Sequence, residues 1–566
     1  HLPTMGWRYR ALRLLTRELH RRFSAAFVDP AAAQAAQLGR ILAANAGTRF
    51  GAQHGFAGIG SPAEYQQRVP VQTWEDVEPW VERVKAGEDD VLTAERVGLF
   101  LRTSGSTGPA KFIPCTAGLE QETGDARAWW VARLVEEDDR AAAGEHLTVY
   151  SPEVEGYTAA GIPYGSNTGR IRNRQPALVR LGDPVPPAVF GVPEAATRYG
   201  LILRFALQAA DLATFSTANP STVLLLVQVL QEQAEPLLAE LAQGTLAARP
   251  GLAESLRQAL LPLLRPRPRR ARQLLELLRR EGRLAPPQVW PRLASLNCWR
   301  CGGADFYEPA LRGWFGEVPI RDPGFSASEG FVAIPWTHRH PAGVLNVPGH
   351  FFEFLPAEAP VGERCRRPLL AHELAPGMVV RPLLTTSGGL YRYDLGDVAR
   401  VEEPYLATPS LRFLHRAGRV LSITGEKVTE AQAVTAASLA CARTGLALVD
   451  FTVGLELVTP PRYCLAAELA ATTDAAPPAG DDPARDATAG WSTLAGAFDE
   501  ELGRANVEYR AKRASLRLGA AVVRVLPAGA FGRWRAELLS QGAPDGQVKV
   551  PHLVLDFGEI VRLGRP

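Results

Sequence analysis

The order of apolar and polar positions divides the chain before any motif is considered. From Met5 the run "MGWRYRALRLLTRELHRRF" predicts an amphipathic basic helix, interrupted too often by charge to be a signal peptide or a membrane span. "AAAQAAQLGRILAANAG" predicts another helix, and Gly/Pro punctuation then leads to the apolar strand "VGLFLR". A short glycine-containing loop separates that strand from a second one, "KFIPCT", after which Thr116 is placed to cap the helix carrying Trp129 and Trp130. The loop therefore joins strand to strand. Residues 200–285 read as mostly helical, with the arginine run in "LLPLLRPRPRRARQLLELLRREG" as a solvated face. Strands and turns follow to about residue 420, in "LASLNCW", "HFFEFLP", "MVVRPLLTT" and "GLYRYDLGDVARV". Beyond "RVLSITGEKVTEAQAVTAASLACARTG" helix and strand alternate compactly, around "ATTDAAPPAGDDPARDATAG" at 471–490, whose composition predicts a mobile loop. The pattern gives a large N-terminal domain, 1–420, and a small C-terminal one, 421–566.

Composition narrows the function classes. At 566 residues the chain exceeds what one core serves, so two or more domains are expected. With 62 basic and 60 acidic residues and a net charge of +2, no general basic field points to nucleic acid. Six scattered cysteines are too few for a disulfide framework and suit a reducing, cytoplasmic setting. Cys298 and Cys301 form a C-x-x-C without further ligands at zinc spacing, so they read as free thiols rather than a metal site. His1–Thr4, ahead of the first methionine, read as the remnant of an added tag. Only Lys85, Lys111, Lys427, Lys512 and Lys549 are lysines, so each marks a place where a compact ammonium was kept in an arginine-rich chain.

The stretch "LRTSGSTGPAKFIP", Leu101–Pro114, has neither the glycine before the lysine nor the Ser/Thr after it that a Walker loop needs. A dinucleotide fingerprint would open a helix instead of connecting strands. What remains is a hydroxyl-rich turn whose amides, with Ser104, Gly105, Ser106 and Thr107, can surround phosphate oxygens while Lys111 adds charge. Three further segments bear on it. "GFSASEGFVAIPW" sets Ser328 and Glu329 after a small-residue turn. "TTSGGLYRYDLGDVARV" sets Tyr391 and Asp397 around a strand junction, and "FLHRAGRVLSITGEKVTEAQ" carries Arg416, Arg419 and Lys427. Singly, each has a plain structural explanation: a surface carboxylate, a turn former, a solvated turn.

Together and in this order they resemble the adenylate-forming enzymes, and more closely the GH3 acyl acid amido synthetases. "TSGSTGPAKFIP" is similar to that family's phosphate loop, "FSASE" to its Tyr-Ala-Ser-Ser-Glu element, and "TTSGGLYRYDLGD" to its third motif. "LSITGEKVTE" resembles its hinge, and "GQVKVP" its C-terminal lysine element. Phe325 departs from the usual tyrosine, Ser326 and Ala327 vary the small pair, and Asp394 stands where a basic residue is common. The resemblance implies an α/β fold: a large N-terminal α/β domain that includes a small β-barrel, and a mobile C-terminal α/β domain hinged about 419–426. It implies ATP and Mg2+ as cofactors, with Glu329 on the metal. Ser104, Gly105, Ser106, Thr107, Ser328, Tyr391, Asp397 and Arg416 would hold the nucleotide, Asp397 through the ribose. Lys111, Lys427 and Lys549 would be the catalytic cations.

A carboxylate is a poor electrophile until it carries a leaving group. The implied reaction therefore adenylates an acid, releases pyrophosphate and passes the acyl group to an amine, an amino acid above all. The enzyme is expected to act as a monomer on small molecules, away from membranes and nucleic acid. Two other readings stand beside it: a ligase that delivers the acyl group to a thiol of coenzyme A or a carrier protein, and a non-catalytic nucleotide-binding or interaction protein. Trp129, Trp130, Tyr164, Trp299 and Phe331 are aromatic candidates for an acyl pocket.

Overall fold

The computed structural model describes residues 5–102, 111–175, 180, 182–359, 367–417, 420–421, 426, 428–458, 460–470, 483–514, 518–540, 550–554 and 557–564. They divide into two compact units, one spanning His1–Leu395 with Ala399–Phe413, the other Gly396–Val398 with Leu414–Ala543 and Val548–Pro566. The division falls inside the strands Asp397–Tyr405 and Thr408–Arg416.

The first unit contains three sheets. Leu99–Arg102 and Phe112–Cys115 pair antiparallel, with Leu99 opposite Cys115 and Arg102 opposite Phe112, so the chain leaves and re-enters one sheet around the glycine-containing loop. Leu99, Phe100, Leu101 and Ile113 are buried, which fixes the register because a one-residue slip would turn that apolar set outward. Thr116 caps the helix Ala117–Glu137, its Oγ1 accepting from Leu119 N–H at 3.2 Å. Its hydroxyl also donates to the Ser387 carbonyl at 2.9 Å, so the cap ties the helix to a distant motif.

A second sheet orders Glu145–Thr148, Leu212–Ser216, Ser295–Asn297 and Ile320–Arg321, all parallel. Parallel neighbours need crossover connections, and the helices from Ala195–Gln208 to Pro268–Glu281 lie in them. Pro268–Glu281 buries Ala271, Leu274 and Leu277 on one face. Its arginines are not all solvated as the sequence led us to expect. Arg270 turns inward and donates to the carbonyls of Leu207, Ala209 and Val289 at 2.6, 3.2 and 3.1 Å, using its fork to satisfy carbonyls around the end of the helix Ala195–Gln208.

The third sheet runs Leu369–Leu370, Phe351–Pro356, Val379–Thr385, Asp397–Tyr405, Thr408–Arg416, Gly343–Leu345, Phe331–Ile334, Phe325–Ser326, with Tyr393–Asp394 paired on Val379–Thr385. In the second unit, Leu448–Glu456, Arg462–Leu469 and Val522–Val525 form a three-stranded sheet accompanied by the helices Glu430–Thr444 and Pro483–Ala505. The expected loop at 471–490 is corrected in its second half: from Pro483 the chain is helical, because proline suits a first helical turn and the alanines that follow favour helix. Its first half lies outside the described residues. No helix among the described residues is long and apolar enough to cross a membrane.

Two buried ion pairs fix the segment Tyr391–Asp394. Arg392, at φ 47°, makes a two-pronged contact with Glu353 at 2.9–3.1 Å and donates to the carbonyls of Gln66 and Val69. Arg381 holds Asp394 at 2.9 Å, which accounts for an acidic residue at that departure from the family pattern. Backbone bonds from Gln72 N–H to the Arg392 carbonyl at 3.0 Å and from Asp394 N–H to the Gln72 carbonyl at 2.8 Å close the frame. Removing one partner of such a pair strands a charge away from water. Arg392→Met should therefore lower unfolding free energy by about 3–5 kcal/mol in urea titrations, with Glu353→Gln in the same chain recovering part of the loss. A loss within error would mean that Glu353 has another counter-charge.

Candidate active site

Of the proposed phosphate loop, Ser104, Gly105, Ser106 and Thr107 lie outside the described residues, as do Arg419, Lys427 and Lys549. Lys111 is described. Its Nζ donates toward the Tyr393 hydroxyl at 3.4 Å and sits 5.5 Å from the centroid of the Trp74 ring. A phenol and an aromatic face both attract the ammonium. Two motifs distant in sequence, the lysine of the loop and the second tyrosine of Tyr-Arg-Tyr, are thus brought into contact.

Ser328 and Glu329 do not follow a turn; they form it. Ala327 N–H donates to the Gly330 carbonyl at 2.9 Å and Gly330 N–H to that of Ala327 at 3.3 Å, so the two residues are the tip of the hairpin Phe325–Ser326/Phe331–Ile334. Glu329 is 5% exposed, and its carboxylate has no hydrogen-bond or ion-pair partner among the described residues. Its oxygens are not among the unpartnered atoms closed to solvent, so the carboxylate is open to a partner from outside the protein. A single protein carboxylate is enough for a hard cation that keeps most of its waters.

The hairpin is held from behind by residues that sequence reasoning did not single out. Phe331 N–H donates to His350 Nε2 at 3.0 Å, which leaves Nδ1 as the protonated nitrogen, donating to Glu122 Oε2 at 3.1 Å. Gly330 makes the approach possible, because a Cβ there would lie 2.8 Å from His350 Nε2. Glu122 also accepts from Gln37 Nε2 at 3.0 Å, from Arg40 and from the hydroxyl of Ser387 in the third motif. One carboxylate thus links the helix Pro30–Asn45, the glutamate hairpin and the Thr-Thr-Ser-Gly-Gly turn. A lone histidine and a mid-helix glutamate carry no spacing signal that announces such a pairing.

The remaining expected site residues fall in different places. Tyr391, which the resemblance places at the nucleotide, is fully buried here, stacks on Phe50 at 4.9 Å and donates its hydroxyl to the Leu92 carbonyl at 2.6 Å. Burial alone pushes its phenol far above the usual range. Asp397 opens the strand Asp397–Tyr405 and is 8% exposed. Beside it, the Gly396 carbonyl accepts from Ala417 N–H at 2.6 Å, which sets the aspartate's backbone next to the strand end at Arg416. Trp129 and Phe331, two of the aromatic candidates, are core residues, whereas Trp130, Tyr164 and Trp299 are part-buried. Cys298 and Cys301 are free thiols, and burial raises Cys298 further from ionisation.

Comparison with known proteins was made against this geometry. Three family models match consecutive parts of the chain: the GH3 family N-terminal domain at 19–320, the GH3 family central domain at 343–416 and the GH3 family C-terminal domain at 429–557. A jasmonoyl–L-amino acid synthetase of Oryza sativa subsp. japonica is 27% identical over 93% of this chain and 92% of its own. A probable indole-3-acetic acid-amido synthetase of the same organism is 26% identical over 93% and 91%. Among solved structures, a GH3.15 acyl acid amido synthetase superposes with a TM-score of 0.81 at 22% identity, covering 96% of this chain and 94% of that one.

The Glu122 network has a pH consequence. Burial pushes the Glu122 carboxyl up, but hydrogen bonds from His350 and Ser387 and the charge of Arg40 outweigh it, so it lies below the ordinary range. Glu137 is lowered to about 2, with burial again opposed, here by Thr337, His338 and Arg321. A depressed folded-state value gives stability that is present above the unfolded value and lost as pH falls through the folded one. Urea midpoints of the protein and of Glu122→Gln should therefore stay apart at neutral pH and converge as pH falls through and below the ordinary glutamate range. A constant gap would assign Glu122's role to shape, not charge.

Proposed function

Since the chain belongs to the GH3 family, we propose that it is an ATP-dependent ligase that adenylates a carboxylic acid and transfers the acyl group to an amine, in the first place an amino acid. Its relatives are named as jasmonoyl-amino acid and indole-3-acetic acid-amido synthetases, and an amide product is the reading those names favour. The observation that carries the chemistry is the Glu329 carboxylate, without a protein partner among the described residues, at the tip of a hairpin braced by His350.

The acid's carboxylate oxygen attacks the α-phosphorus of ATP, and the bond to the bridging oxygen of the departing pyrophosphate breaks. Negative charge grows on the phosphoryl oxygens, which Lys111 and the amides of the loop at 104–107 are proposed to stabilise. Glu329, with Ser328 beside it, is proposed to hold Mg2+, which when bound neutralises phosphate charge. Asp397 would accept from the ribose hydroxyls, and Arg416 lies at the neighbouring strand end. Lys427 and Lys549, with a hinge about 419–426 between domains 1–420 and 421–566, complete the proposal on family resemblance. In the second step the amine's lone pair attacks the acyl carbon, the bond to AMP breaks and the amine gives up a proton.

A screen of carboxylic acids with ATP, Mg2+ and the common amino acids, read by pyrophosphate release and product mass, tests the function. Acid-dependent pyrophosphate and an amide mass are expected. Thioester formation with added thiols instead would favour the coenzyme A or carrier-protein alternative, and no pyrophosphate with any acid would favour a non-catalytic protein. Glu329→Gln should leave the fold intact and raise the Mg2+ concentration for half-maximal pyrophosphate release by about tenfold or more, because an amide cannot neutralise a cation. An unchanged Mg2+ titration would remove Glu329 from the metal.

A further inference from the structure

The helix Ala117–Glu137 turns Glu122 toward the hairpin and presents a second charged group on another face. Thr123 and Arg127 are four residues apart and so share that face. Arg170, from the helix Asn167–Arg174, reaches it. Arg170 is 2% exposed and meets only neutral oxygens: Asn167 Oδ1 at 3.2 Å from Nε and 2.8 Å from Nη2, and Thr123 Oγ1 at 3.5 Å. Arg127 is part-buried, and its Nη2 is closed off from solvent with no hydrogen-bond partner. Neither arginine has an ion pair among the described residues. Burial, and then the positive charge of Arg170, push Arg127 well below the usual arginine range, so the two guanidinium groups oppose each other.

Three other buried arginines of this chain each hold an acid. Arg172 has Asp183 at 3.0 Å, Arg381 has Asp394 at 2.9 Å, and Arg392 has Glu353 at 2.9 Å. The nearby acid Glu120 is already bound two-pronged by Arg174, at 3.0 Å to each oxygen. Two shielded cations without an anion are an incomplete arrangement, and guanidinium forks match the planar geometry of a carboxylate.

We propose that Arg127 and Arg170 bind a second, non-reacting carboxylate of the acid substrate, which makes the substrate class a dicarboxylic acid. This rests on the ligase reading above. The reacting carboxylate is the poorer occupant, for a chemical reason. Adenylation converts it to a neutral ester-like carbonyl, so guanidiniums that gripped it would lose their counter-ion at the step to be accelerated. A second carboxylate keeps its charge throughout and anchors the acid while the other end reacts.

The test uses matched acids, adipate against hexanoate and isophthalate against benzoate, with the full-length protein, Arg127→Met and Arg170→Met. In pyrophosphate release, the dicarboxylate should exceed its monocarboxylate partner in kcat/KM by on the order of a hundredfold for at least one pair, and either variant should erase most of that ratio through KM. A preference for monocarboxylates in the wild type, or an equal loss for both acids in the variants, would overturn the proposal and assign the pair to the reacting group. Without ATP, the preferred dicarboxylate should raise Tm of the wild type and not of either variant. Without any acid, Arg127→Met should melt no lower than the wild type, since it removes a repulsion; a clear fall would make the pair structural. If no acid yields pyrophosphate, the ligase reading fails, while the Tm comparisons still decide whether the arginines bind a carboxylate.

Discussion

A single carboxylate, Glu122, meets donors from three segments far apart in sequence. Gln37 and Arg40 come from the second helix, His350 from the approach to a central strand, and Ser387 from the glycine turn. Because the group is buried, each missing donor would leave charge or a polar atom unsatisfied, so the segments are held in one arrangement or the arrangement is lost. The hairpin that carries Glu329 inherits its position from this demand through the imidazole, which offers one nitrogen to each side.

The ion pairs Arg392–Glu353 and Arg381–Asp394 act in parallel on the other motif. Buried pairs contribute little net stability over apolar residues of the same size, yet they are costly to break singly, so they specify geometry more than they add strength. Tyr393 lies between them in sequence and receives Lys111. The loop's lysine is thus presented by a rigid frame, as a group meant to meet developing charge should be.

Local features of this architecture were legible in the sequence. The strand–loop–strand reading of Leu101–Pro114, the Thr116 cap and the helical region 200–285 follow from periodicity and capping chemistry, and the structure has all of them. The motif order led to the GH3 family. What sequence did not disclose is pairing between remote positions: nothing about Glu122 or His350 in isolation distinguishes them from a surface acid and a core histidine. The surroundings of Tyr391 were hidden for a related reason, since a motif tyrosine and a core tyrosine look alike until Phe50 and Leu92 are seen around it. The segment from Pro483 was misread because alanine serves loop and helix equally in composition.

Gln37, His350 and Ser387 lie 85, 228 and 265 positions along the chain from Glu122. Loops of that length close slowly, and their contacts form late. During synthesis the glutamate and its helix emerge long before the imidazole and the serine that complete them. The N-terminal half must therefore wait with an unsatisfied acid near an apolar core, a state in which premature collapse or self-association competes with correct assembly. The same residue that makes the finished site rigid sets the order in which the chain can be built.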